Sequence, residues 1–184
     1  MSHRPPHDRR RFLHRAAGWA AAGALPALAV PAKAAVDSRA IALDHTHTRE
    51  RIDLVYAVGP GYVPHALTAL NRFLRDHYSG EVGVIDPGLF DLLHRVHQTL
   101  GSSASFEVIS GYRCPATNEQ LRRSRGGGVA RTSLHTEGKA IDVRLPGVAL
   151  ADLRDAALSL GVGGVGYYPH ERFVHLDTGR VRRW

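Results

Sequence analysis

The stretch YYPHERFVHLD, residues 167–177, constrains this chain's fold more than any other. It contains His170, Glu171 and His175, and so superficially offers the HExxH pattern in which two helical histidines bind zinc. That pattern needs its histidines at i and i+4, on one helix face. Here they are five apart, which on a helix turns the second away from the first. Pro169 and the β-formers Phe173 and Val174 point instead to a turn followed by a strand. Alternate residues of a strand share a face, so Glu171, Phe173, His175 and Asp177 are expected to point together. A histidine placed in that way has to draw any metal-binding partners from elsewhere in the chain.

The search for them starts from what the whole chain allows. Its 184 residues suffice for one domain with a real core and are few for two. The formal charge of +7 suggests nucleic acid until its distribution is considered. Residues 1–34 carry Arg4, Arg9, Arg10, Arg11, Arg15 and Lys33 against Asp8 alone. The remainder then holds 18 basic and 16 acidic side chains, a nearly balanced domain, and nucleic acid drops out as a partner.

Within residues 1–34, consecutive arginines in DRRRFLH precede an uncharged, alanine-rich run from Ala16 to Val30. An A-x-A cleavage pattern, Ala32-Lys33-Ala34, follows. This is the order of a secretory signal, and the paired arginines before Phe-Leu resemble a twin-arginine export signal. The apolar run is short for a membrane span of about 20 residues. The expectation is a removed signal at 1–34, a single domain at 35–184, a periplasmic location and no stable membrane span after processing. An uncleaved anchor is the alternative. The lone Cys114 excludes an intramolecular disulfide, so the core must stabilise the fold. As a ligand or nucleophile it is weighed against a small side chain in a turn before Pro115, and the latter is favoured.

The periodicity predicts an α+β domain. RAIALDHTHT and RIDLVYAVG alternate around a short turn and read as a hairpin. Val63, Leu67, Leu70 and Leu74 keep helical spacing, with Gly80 beyond the expected end. Asp86 before Pro87 is a good N-cap for a second helix striped by Leu89, Leu92, Leu93, Val96 and Leu100. His94 and His97 on that helix read as polar face rather than ligands. SFEVISGYR and GKAIDVRL read as strands, PATNEQLRRS and GVALADLRDAALSLG as helices, and GGVGYY with RFVHLDTG as the last strands. RGGGVARTSLH reads as a flexible loop. Its three glycines lack the G-K-[ST] of a phosphate cradle.

The best partners for His175 lie in SLHTEGKAIDV. His135 ends the loop, Asp142 follows seven residues later in a strand, and Gly138 allows a tight turn between them. Two imidazoles and a carboxylate suit one zinc ion and leave its fourth position for water. Manganese or iron would accept the same donors.

SGYRCPATN, SLHTEGKAIDV and GGVGYYPHERFVHLDTGRVRRW together resemble the zinc peptidases of bacterial cell walls. That group comprises D-Ala-D-Ala carboxypeptidases, lysostaphin-type enzymes and the hedgehog domain, and within it the chain resembles the YcbK-like murein endopeptidase K subfamily. The shared S-x-H-x-x-G-x-A-x-D falls on Ser133, His135, Gly138, Ala140 and Asp142. The resemblance spans about residues 40–184. It implies an antiparallel sheet flooring a zinc cleft with flanking helices, and metal ligation by His135, Asp142 and His175. It also implies that Arg113 binds substrate or polarises its carbonyl, against a structural ion pair as the alternative. Ser133 is a substrate-binding candidate, or a turn serine bonding nearby backbone. The carboxypeptidase branch has a glutamate base three residues before its last zinc histidine, and here that position is Arg172. Asp177 is the preferred base, narrowly ahead of Glu171, with His170 a further candidate. Asp177 as an orienting carboxylate is given even weight.

The leading expectation is therefore a zinc peptidase cleaving cross-links between peptidoglycan stem peptides. A D,D- or L,D-carboxypeptidase is the near alternative. A zinc-containing, non-catalytic wall-binding domain is the distant one, favoured by Arg172. The sequence is silent on oligomeric state.

Overall fold

The computed structural model describes residues 37–124 and 130–184. The expected export signal at 1–34 and the first part of the glycine-rich loop, residues 125–129, lie outside these residues. The described residues form eight strands and four helices. The strands are β1 (Ser38–His45), β2 (Arg51–Val58), β3 (Gly61–Tyr62), β4 (Phe106–Ser110), β5 (Ala140–Arg144), β6 (Gly164–Tyr168), β7 (Phe173–Asp177) and β8 (Arg182–Arg183). The helices are α1 (Pro64–Phe73), α2 (Pro87–Leu100), α3 (Pro115–Ser124) and α4 (Leu150–Ser159), with a 3-10 turn at Leu134–Glu137. All strands join one sheet in the order β3-β2-β1-β4-β5-β7-β6-β8. It is mostly antiparallel, and β1–β4 and β6–β8 pair in parallel.

Local chemistry explains most boundaries. The Asp86 carboxylate accepts the Gly88 N–H at the start of α2, Pro87 occupies the first turn, and Gly101 closes the helix in the left-handed region. α1 ends at Phe73, earlier than its leucine spacing predicts. Leu74 is its cap, and just beyond it the buried Asp76 carboxylate gathers the N–H groups of Tyr78 and Ser79 into a turn. His94 meets Gln98 at the surface, whereas His97 turns inward and stacks on Phe106 with ring centroids 4.2 Å apart. β3 and β8, two residues each, carry no periodicity and were not expected.

α1 packs on β2, α2 on β1 and α4, and α4 on β6 and β7. Strand alternation separates the two faces of the sheet. Ile141 and Val143 of β5 and Val174 and Leu176 of β7 enter the apolar core with Ile41, Leu43 and Phe106. Each such side chain contributes about 1.5–3 kcal/mol by leaving water. The intervening residues Asp142, His175 and Asp177 face the other way. No helix of the described residues is long and apolar enough to cross a membrane.

Candidate active site

On this opposite face Asp142 and His175 are direct partners in the β5–β7 ladder, which places their side chains beside each other. His135 arrives from the 3-10 turn that precedes β5. That turn closes at Gly138 with φ +67°, and a Cβ there would come within 1.9 Å of the Val84 carbonyl oxygen. The three side chains converge. His175 Nδ1 lies 2.8 Å from Asp142 Oδ1 and 3.2 Å from His135 Nε2, and His135 Nε2 lies 3.3 Å from the same Asp142 oxygen. Among the described residues this is the one cluster of three or more such side chains able to hold a metal ion.

The surrounding hydrogen bonds decide which atoms are available. His135 Nδ1 lies 2.8 Å from the Gly111 carbonyl, which can only accept, so this nitrogen carries the proton and Nε2 presents its lone pair. His175 Nε2 lies 3.1 Å from Asp177 Oδ2, which likewise assigns the proton there and frees Nδ1. Two lone pairs and a carboxylate oxygen thus face one point. Zinc with bonds of about 2.0–2.1 Å in a tetrahedron sets its ligand atoms about 3.3 Å apart, close to the spacing found. The donor set fits the metal. Burial lowers the His175 pKa, but hydrogen bonds to the Asp142 and Asp177 carboxylates override this and raise it to about 9, so at neutral pH a proton bridges Nδ1 and Asp142 where a bound cation would take its place. Burial likewise opposes ionisation of Asp142, and the two imidazoles outweigh it, holding its carboxyl well below the usual range. The cluster attracts a cation.

Asp177 shares the face of His175 but not its access. It is fully buried. Its oxygens accept N–H groups from Gly164 and Gly179 and two from the Arg182 guanidinium, besides contacting His175. This is the setting of a carboxylate that orients an imidazole. Two glycines of β6 make the arrangement feasible. A Cβ on Gly164 would meet Asp177 Oδ2 at 2.4 Å, and one on Gly166 would meet the Trp184 indole at 2.7 Å. The Asp177–Arg182 pair and the Trp184 ring therefore cross β6 over bare backbone.

The cluster opens into a cleft of about 490 Å³, lined by Arg113, Ser133 and Glu171 as well as the cluster residues. Arg113 is held by the Ser110 hydroxyl and the Asn118 side-chain oxygen, each 3.3 Å away. Asn118, buried and not singled out in the sequence, also donates to the Ala130 carbonyl, and so ties Arg113 to the cleft rim. Ser133 begins the 3-10 turn without a side-chain cap bond. Glu171 and Asp142 are the carboxylates lining the cleft, while His170 is exposed in the β6–β7 turn and does not line it. Arg172, at φ +61°, faces a separate hollow of about 610 Å³ on the other side of the hairpin. Among the described residues no three-ligand cluster reaches that hollow, and the His135–Asp142–His175 cluster lines the smaller cleft. Cys114 is buried, and its sulfur accepts the Thr117 N–H at the start of α3. The favoured turn role fits it, and it contributes nothing to the cluster.

Comparison with known proteins adds the family. The profile described as "Peptidoglycan L,D-endopeptidase MepK" matches residues 33–184. The chain belongs to this family. It is 44% identical to the peptidoglycan L,D-endopeptidase MepK of Escherichia coli K12 over 179 residues, which is 96% of this chain and 97% of that protein. The Shigella flexneri protein of the same name matches equally. The probable peptidoglycan L,D-endopeptidase MepK of Haemophilus influenzae is 41% identical over 147 residues, 79% of this chain and 78% of that one. No solved structure matches the chain significantly.

Proposed function

We propose that this peptidase of the MepK family is a zinc-dependent endopeptidase that cuts peptide cross-links of peptidoglycan, with His135, Asp142 and His175 holding the metal. The observation that carries the reading is the convergence of three acceptor atoms within 3.3 Å of one another, both imidazoles having committed their other nitrogen. The names of the relatives supply the substrate class. A bound zinc ion supplies Lewis acidity, polarising a carbonyl and acidifying water to a pKa of about 7.

The chain's own residues do the rest. Arg113, fixed by Ser110 and Asn118, offers a planar cation to a substrate carboxylate or to the oxyanion developing at the scissile carbonyl. Ser133 adds a hydroxyl to the same wall. Glu171, the cleft carboxylate outside the cluster, takes the proton from the attacking water and passes it to the leaving amine. Asp177 keeps the His175 tautomer that leaves Nδ1 free, so its role is positioning rather than proton transfer. We also propose that residues 1–34 direct export to the periplasm, where the substrate lies, and that residues 35–184 act as one domain.

The test is digestion of purified cross-linked peptidoglycan, read by product masses, with and without a chelator. Chelator-sensitive loss of dimeric muropeptides, restored by zinc and absent in His135→Ala, is the expected result. Glu171→Gln should lose turnover while keeping its zinc. Intact dimers in the presence of folded, zinc-loaded protein would replace the enzyme with a wall-binding domain.

A further inference from the structure

The cleft runs across the strands, and its two ends differ. Strand order puts Arg113, just after β4, on the β5 side of the metal cluster, and β6 with β8 on the β7 side. On the β7 side the wall carries three aromatic rings, Tyr168, Phe173 and Trp184, with the Arg182 guanidinium, already paired to Asp177, 4.8 Å from the Trp184 ring. The Trp184 ring lies 5.3 Å from the His175 ring, and Tyr168 stacks on Phe173 at 4.6 Å.

This wall is pre-shaped. Trp184 exchanges backbone hydrogen bonds with Val165 and Tyr167 of β6, and its indole N–H donates to the Tyr168 hydroxyl at 2.7 Å. The ring lies over Gly166, where a Cβ would strike it. With its N–H committed to Tyr168 and the Arg182 guanidinium lying over the ring, the indole has no free polar atom of its own, and the residue is still 49% exposed. An endopeptidase substrate continues on both sides of the scissile bond. The polar wall at Arg113 serves one side, and the aromatic wall is placed to serve the other.

We propose that Trp184 is a specificity-determining residue that packs against the aliphatic portion of one of the two cross-linked peptides, on the side of the metal cluster opposite Arg113. An extended peptide advances about 3.3–3.6 Å per residue, so a ring 5.3 Å from His175 meets a residue next to the scissile bond. The inference rests on the reading of the His135–Asp142–His175 cleft as the catalytic centre.

The sequence supplies a reporter. The two tryptophans are Trp19 and Trp184, so in full-length Trp19→Phe protein all tryptophan fluorescence comes from the cleft. Chelator-treated Trp19→Phe protein is titrated with purified cross-linked muropeptide dimers, with un-cross-linked monomers and with N-acetylglucosamine oligomers. A saturable shift with dimers, weaker with monomers and absent with the oligosaccharide, is expected. A shift driven by the oligosaccharide alone, or none with dimers, overturns the proposal.

Kinetics of zinc-loaded Trp184→Ala give the second arm. KM for dimers should rise about tenfold while kcat falls far less, with zinc content unchanged and Trp184→Phe recovering most of the loss. Gly166→Ala, which displaces the Trp184 ring without altering any cleft side chain chemically, should reproduce the KM effect if Trp184→Ala fails to fold. Unchanged KM in these variants, or lost zinc with a matching fall in kcat, would show that the ring merely supports His175. Residual hydrolysis by His135→Ala would instead refute the catalytic centre itself, so the two failures are distinguishable.

Discussion

β5 and β7 build two unlike surfaces from alternating residues. Toward the helices they present Ile141, Val143, Val174 and Leu176, each in contact with many apolar neighbours and dependent on none in particular. Toward the cleft they present Asp142, His175 and Asp177, each bound to named partners at hydrogen-bond distance. Apolar burial is non-directional and scales with area, so the first face tolerates volume-conserving change. The second is a directional network, in which a buried charge without its partner is costly. Adjacent residues on one strand should therefore fail in different ways.

Leu176→Ala is the largest test of stability. It should cost about 2–5 kcal/mol of folding free energy, seen as a lower denaturation midpoint, while zinc affinity of the folded protein stays within error. Weakened zinc binding would mean that the two faces are mechanically coupled. Asp177→Asn, one residue away, should do the reverse in emphasis. Zinc affinity falls about 10–100-fold in a competition titration, and hydrolysis at limiting zinc falls with it. Full hydrolysis at saturating zinc would support the positioning role, whereas abolished turnover with zinc retained would restore Asp177 as the base.

Asp76 sharpens the comparison, since it is a buried charge away from the His135–Asp142–His175 cluster. Burial raises its pKa, but the Thr117 hydroxyl and the Cys114 and Tyr78 N–H groups outweigh this and hold it at about 2. Its folded pKa is depressed, so its contribution is present above the unfolded value near 4 and is lost as pH falls through about 2. Wild type should exceed Asp76→Asn in stability by about 2 kcal/mol at neutral pH, with the gap closing under acid. A gap independent of pH would show that charge is not the operative feature. The smallest effect is expected at the solvent-exposed Arg51–Asp44 pair, 2.7 Å apart across β1 and β2. There Arg51→Ala should change stability by less than about 1 kcal/mol, and a larger loss in chemical denaturation would refute the distinction between solvated and buried charge.

Legibility followed the same division. The α2 start was readable because cap, proline and leucine stripe are consecutive in the chain. α1 was read too long because Leu74 keeps the spacing, while the Asp76 turn that ends the helix gains its tie to Cys114 only through a contact 38 residues away. The side of the sheet for His175 and Asp177 followed from strand alternation, and their depth did not. Strand alternation makes Asp177 the preferred base because it shares a face with His175; the Gly164, Gly179 and Arg182 donors that engage its oxygens in the fold leave no trace in that alternation. Arg172 counted against catalysis by its distance in sequence from His175, yet the turn at φ +61° puts it beside the other hollow and leaves Glu171 in the cleft.

By itself, then, the sequence determined the period of each element, the parity that puts Asp142 and His175 opposite the core, and the residue types able to bind a metal. These are local properties, set by spacing along one strand or helix. Which nitrogens are free, which carboxylate reaches the cleft and why β6 carries glycines at 164 and 166 were decided by the tertiary structure. Those answers depend on Arg182 of β8, on Trp184 beyond it and on the Gly111 carbonyl, all reaching the site from elsewhere in the chain, and such contacts leave no period in the segment that makes them.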